Sequence, residues 1–415
     1  MGKLFNNPNR FDKSISYFIR NNNRTPKPAR PSIPPIVNPI IEIIDKKEIN
    51  TIEKLISYVN LNKTLENTAI FDVDINKYKN IILKTKVDYA YFFGCNMDQQ
   101  LKNYILNNNG VIYPSITKIV PLKIFRSNLY TPQELLDGYF NDPPVLSLDD
   151  KIYEWFFNYK KLGMNENMFS IFAMNTHDAC IDDALIQMIN DIGKEKIIGV
   201  MGGHSNKRNT SEYRTLVLTC RELAKAGYVC MSGGSSGMME AVHLGALLSM
   251  YPIEAVDDAI SILSKEISYD DLFKYYAPAL EVLKKYPHPK DKILSIAIPT
   301  WVYYEPTCMF ASYIASYFSN PIREYNLLNY SFGGCLISPG SAGTLAETFI
   351  FHANQHYKSL GYITPFVFLN KYWWNEKIPV FPLIYNLANS TYKSRLFSVD
   401  TPEEVVESFN TGPII

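Results

Sequence analysis

The stretch SPGSAGTLAETF, residues 338–349, follows the apolar run Cys335-Leu336-Ile337 and combines residue types suited to holding an anion. Pro339, Gly340, Gly343 and the small Ser341 and Ala342 let the backbone turn tightly and approach a ligand closely. From Thr344 the run Leu345-Ala346-Glu347-Thr348-Phe349 reads as a helix. A strand that feeds such a turn leaves unpaired N–H groups from Gly340 to Thr344 at the positive end of a helix dipole, where phosphate fits. Glu347 has two readings: a carboxylate that simply complements the helix N-terminus, or one that stands a turn away from a bound anion and acts on it.

These residues need elements to position them. SGGSSGMMEA, residues 232–241, is a second glycine turn before a helix, after the apolar Tyr228-Val229-Cys230-Met231. KIIGVMGGHS at 196–205 is a buried-strand run that ends in Gly202-Gly203 and His204, and SEYRTLVLTCRELAKAG is an amphipathic helix closed by Gly227. ILSIAIPTW, GGCLISPG and TPFVFLN read as further strands, and CMFASYIASYF as a helix. Strands alternating with helices over this length predict an α/β fold, a doubly wound parallel sheet of Rossmann type over residues 193–415. In such sheets ligands bind beyond the carboxyl ends of the strands, where Gly202-Gly203, Gly233 to Gly237, Pro299-Thr300 and Pro339 to Thr344 all fall.

Upstream, residues 1–50 read as a basic, Pro- and Asn-rich tail and linker. A small α/β unit is expected over 51–150, where DYAYFFGCNMDQQLKNYILNNNGVIYP makes one strand–helix–strand step. Aromatic and apolar residues at helical spacing make 151–192 a connecting helical segment, with HDACIDDAL inside it. Asp178, Asp182 and Asp183 in that motif read as capping or solvated carboxylates rather than metal ligands, because partner histidines at a defined spacing are missing. Lys plus Arg and Asp plus Glu both count 41, which gives no general electrostatic reason to expect nucleic acid or a membrane surface. Six scattered cysteines without a C-x-x-C pair read as buried thiols, and no apolar run approaches eighteen residues, so a cytoplasmic protein is expected.

Taken together, Gly233-Gly234-Ser235-Ser236-Gly237-Met238-Met239-Glu240-Ala241 and Pro339-Gly340-Ser341-Ala342-Gly343-Thr344-Leu345-Ala346-Glu347 resemble the two motifs of the LOG (Lonely Guy) superfamily of Rossmann-like nucleotide 5′-monophosphate phosphoribohydrolases. Those motifs run G-G-G-x-x-G-x-M-E-A and P-G-G-x-G-T-x-x-E. Here Ser235 and Ser341 replace glycines, and Ala346 replaces the first acid of a Glu pair. The resemblance covers about residues 195–375, and the whole-chain pattern is similar to a long subgroup of Rossmann-fold nucleotide-binding proteins. It implies a catalytic pair of Glu347 with an Arg on the preceding helix, which Arg323 in NPIREYNLL matches. It also implies a homodimer or higher homo-oligomer, and it requires no metal and no cofactor.

The implied reaction is hydrolysis of the N-glycosidic bond of a nucleoside 5′-monophosphate to free base and ribose 5-phosphate. The substrate's phosphate would rest on Gly340 to Thr344, and Glu347 would stabilise positive charge developing on the ribose or activate water. Arg323 would clamp phosphate or ribose, or hold Glu347 ionised and oriented. Gly233, Gly234 and Gly237 would admit a second helix N-terminus to the ligand, with Glu240 reaching sugar hydroxyls or serving only as a helix-turn charge. His204 has the same two readings, substrate contact or a loop hydrogen bond. The competing function is a non-catalytic nucleotide or pterin-cofactor carrier or sensor of the same fold.

Overall fold

A computed structural model describes residues 47–115, 120–161 and 168–414. Residues 1–46 of the expected tail and linker lie outside the described residues, and 47–49, at its end, form a strand instead.

Four short parallel strands form the smaller sheet in sequence order: β1 (Lys47–Ile49), β2 (Thr68–Phe71), β3 (Tyr91–Phe93) and β4 (Val111–Tyr113). Helix α1 (Ile52–Asn62) starts at Thr51, whose hydroxyl accepts the Lys54 N–H, and α2 (Gln99–Asn107) starts at Asp98, whose carboxylate accepts that of Leu101. Their apolar faces, Leu55 and Val59 on one and Leu101 and Ile105 on the other, join Ile70 and Phe92 in a core of their own.

The larger sheet has seven strands, all parallel: β5 (Ile197–Met201), β6 (Val229–Ser232), β7 (Ser295–Ala297), β8 (Tyr313–Ile314), β9 (Gly334–Ile337), β10 (Phe366–Leu369) and β11 (Leu396–Val399). Their order is β11-β10-β9-β5-β6-β7-β8. From β5 the chain winds outward to β8, then returns to lay β9 on the other side of β5. The direction of winding therefore reverses between β5 and β9, which makes the crevice at their carboxyl ends the switch point where ligands bind in this class of sheet.

Alternate residues of each central strand feed cores on opposite faces. Ile197, Met231, Cys335, Ile337 and Phe366 lie in one; Ile198, Val200, Cys230, Leu336 and Val367 lie in the other. Burial on both faces is why these strands read as unbroken apolar runs. The second face is covered by α5 (Ser211–Lys225), α6 (Met238–Leu248) and α11 (Pro402–Asn410). The first is covered by α9 (Asn320–Asn329), α10 (Ala342–Tyr357) and the long α4 (Met168–Ile192), which supplies Ala173, Ile181, Leu185 and Ile189. Between the two motifs run α7 (Glu254–Leu263) and α8 (Leu272–Lys285), and α3 (Leu148–Lys161) precedes α4.

One expected element is overturned. CMFASYIASYF is not a helix: its centre is the edge strand β8, which pairs with β7 and also makes an antiparallel bridge from Ile314 to Tyr130. Its backbone is used by neighbours instead of by a helix, Ser312 N–H donating to Ser295 and Ala315 N–H to Ala297. A short run that is apolar on all sides carries no period to separate the two structures.

Candidate functional site

Four turns meet at the carboxyl edge of the larger sheet. The one after β5 carries Gly202, Gly203 and His204; the one after β6 carries Gly233, Gly234 and Gly237; Ile298 follows β7; Pro339 and Gly340 follow β9. They are laced by backbone bonds. Gly203 N–H donates to the Pro339 carbonyl (3.2 Å), and the Gly203 carbonyl accepts Met238 N–H (3.0 Å) at the start of α6. Gly237 holds φ +65°, and a side chain there would meet the His204 carbonyl at 2.3 Å, so glycine is required where the two turns cross.

Arg323 and Glu347 come together. Arg323 projects from the first turn of α9 and is 8% exposed. Its Nε donates to the Ile298 carbonyl (2.8 Å), its Nη2 to the Gly233 carbonyl (3.4 Å), and its Nη1 stands 3.5 Å from Glu347 Oε1. Two carbonyls at the ends of neighbouring strands thus fix the guanidinium plane and aim its remaining arm at the carboxylate. Gly233 is the residue that lets it pass: a Cβ there would lie 2.2 Å from Nη2.

Burial pushes the Glu347 carboxyl up to about 7; Arg323 opposes the shift and Glu324 adds to it. Desolvation therefore outweighs the cation, and Glu347 exchanges its proton near neutrality instead of being held permanently ionised. Glu347 lies in the second turn of α10, whose N-terminus is Ser341. That end has no side-chain cap, and Ser341, Ala342 and Gly343 are exposed while Thr344 is buried. The first turn of α10 is thus exposed and without a side-chain cap, one turn ahead of the Glu347 that pairs with Arg323.

Glu240 lies elsewhere. It is 3% exposed, and Arg208 grips both its oxygens (2.8 and 2.6 Å) while the hydroxyls of Tyr213 (2.9 Å) and Tyr275 (3.0 Å) donate to one oxygen each. Four donors use the carboxylate's acceptors, so the expected reach to sugar hydroxyls does not occur: Glu240 ties α5, α6 and α8 to the turn after β5. Sequence reading missed Arg208, Tyr213 and Tyr275, which lie 32, 27 and 35 positions from Glu240 and share no local motif with it. His204 is half exposed, with Nδ1 3.8 Å from Glu305 Oε1, and lines a cavity of about 290 Å³ together with Asn206, Lys207, Ser236 and Tyr269. Ser235 lies buried, its hydroxyl without a hydrogen-bond partner. His243 is held beneath the second turn by Ser232 Oγ (2.8 Å), and burial pushes it down to about 3, which keeps it neutral.

No helix among the described residues is long and apolar enough to cross a membrane. Nor do three or more His, Cys, Asp or Glu among them gather as a metal site.

No protein-family model matches this sequence, and no curated protein does. Several solved structures are similar over about half of it. The molybdenum cofactor binding protein from the phototrophic bacterium Rippkaea orientalis is 18% identical, with 52% of this chain aligned to 95% of that one at a TM-score of 0.34. The Moco carrier protein from Chlamydomonas reinhardtii is 15% identical over 52% and 95% of the two chains, at a TM-score of 0.31. The X-ray structure of TM1055 is 17% identical over 52% and 97%, at 0.32.

Proposed function

We propose that this protein hydrolyses the N-glycosidic bond of a nucleoside 5′-monophosphate, releasing free base and ribose 5-phosphate. The observation that carries the reading is the Arg323–Glu347 pair beside the uncapped start of α10, at the switch point of a doubly wound sheet. The phosphate takes the N–H groups of Gly340 to Thr344. Cleavage leaves positive charge on C1′ and O4′ of the ribose, and ionised Glu347 stabilises it and takes a proton from the attacking water. Arg323, fixed by Ile298 and Gly233, orients that carboxylate and balances the charge of the bound phosphate. A carboxyl poised near neutrality suits a group that must both accept and return a proton.

The test is incubation of the protein with a panel of nucleoside 5′-monophosphates, with free base followed by chromatography and Glu347→Ala run in parallel. Base released by the wild type and lost in the variant supports the reading and names the substrate. Thermal stabilisation by nucleotide without release of base overturns hydrolysis and leaves a carrier or sensor.

A further inference from the structure

HDACIDDAL, residues 177–185, lies on α4, outside the site, yet its carboxylates engage the helix that bears Arg323. Asp178, 3% exposed, accepts the N–H of Phe318 (3.0 Å) with one oxygen and that of Ser319 (2.9 Å) with the other. Ser319 is the N-cap of α9 and makes no capping bond with its own side chain. One turn further along α4, Asp182 accepts the Tyr317 hydroxyl (2.8 Å) and the amide of Asn326. Arg323 falls between these two grips, its own N–H bonded to the Ser319 carbonyl (3.0 Å). The clamp is anchored in turn, because His177 meets the Tyr130 hydroxyl (2.9 Å) and Tyr130 bridges to β8.

We infer that Asp178 and Asp182 are positioning residues for Arg323: the two carboxylates hold both ends of the α9 segment that carries it, and so set the distance from its guanidinium to Glu347. The inference rests on the proposed role of the pair but reads out separately from catalysis. A buried carboxylate that receives two backbone N–H groups is a strong and directional grip, and loosening it lets Arg323 recede. Arg323 is the one group among those acting on the Glu347 carboxyl that favours its charged form; Glu324 on the same helix and burial both disfavour it. The ionisation of Glu347 therefore reports the position of Arg323.

The experiment labels glutamate carboxyl carbons with ¹³C and follows Glu347 through a pH titration by NMR, with Glu347→Gln to assign its signal. Asp178→Asn keeps the shape but turns a donor toward an N–H; Tyr317→Phe removes the hydroxyl that donates to Asp182 and accepts from the Asn326 amide of α9. The expected result is an upward shift of the Glu347 midpoint by about half a pH unit or more in each, with unchanged circular dichroism. An unmoved midpoint in both folded variants overturns the inference, and if Asp178→Asn fails to fold, Tyr317→Phe decides it alone. A shifted midpoint in a protein that releases no base keeps the positioning role and removes the reaction; base release with no shift does the reverse.

Discussion

Replacing Glu347 by Gln removes an ionisable group at nearly constant shape, and the consequence for stability has a definite sign. The carboxyl is pushed from an ordinary 4.5 to about 7 in the folded chain, so the folded state holds its proton more tightly than the unfolded one. Such a group contributes fully below its unfolded value, and that contribution is lost as pH rises through the folded one. For a side chain 14% exposed, this costs the wild type about 2–3 kcal/mol between pH 5 and pH 8, and Glu347→Gln is spared it. Urea unfolding of both proteins over that range measures the difference, since all other titrating groups are shared. The variant should gain on the wild type by about that amount toward pH 8. A flat difference would refute the raised carboxyl and would mean that Arg323 outweighs burial and holds Glu347 ionised across the range.

Base release should fall on the acid side of about 7 as Glu347 takes up its proton, a limb visible in kcat/KM against pH. Arg323→Lys cannot bond two carbonyls and face Glu347 together, so it should lose on the order of a hundredfold in turnover, measured by the same base assay. Gly233→Ala drives a Cβ into the guanidinium and should cost about 1–3 kcal/mol in urea unfolding and displace the pair. Glu240→Ala should act on stability, losing about 3–5 kcal/mol by stranding Arg208, and refolded material should retain nucleotide binding by calorimetry.

The winding of the larger sheet was legible because strands buried on both faces leave unbroken apolar runs, as in Ile197 to Met201 and Phe366 to Leu369, each closed by a recognisable turn or helix start. The segment at 308–318 was not, since it is buried on every side and loses the period that distinguishes strand from helix. Pairing of Arg323 with Glu347 followed from motif resemblance; nothing in local composition relates positions separated by a complete β-strand. Glu240 misled for the converse reason. Its place in a glycine motif suggested a ligand, while its actual partners come from three distant segments and are marked only by their burial. Asp178 and Asp182 lie at the i, i+4 spacing of one helix face, but only the fold reveals that this face grips α9.

The bridge between Tyr130 and Ile314 has a consequence for solubility. β8 ends the larger sheet, and a terminal strand normally offers a row of unpaired backbone groups on which another chain can polymerise. Tyr130 takes both the N–H and the carbonyl of Ile314 (2.8 and 3.0 Å), so this chain stops its own sheet with a residue from far upstream. A fragment trimmed to the glycine-motif region would lack Tyr130 and leave the backbone of Ile314 unpaired on that edge.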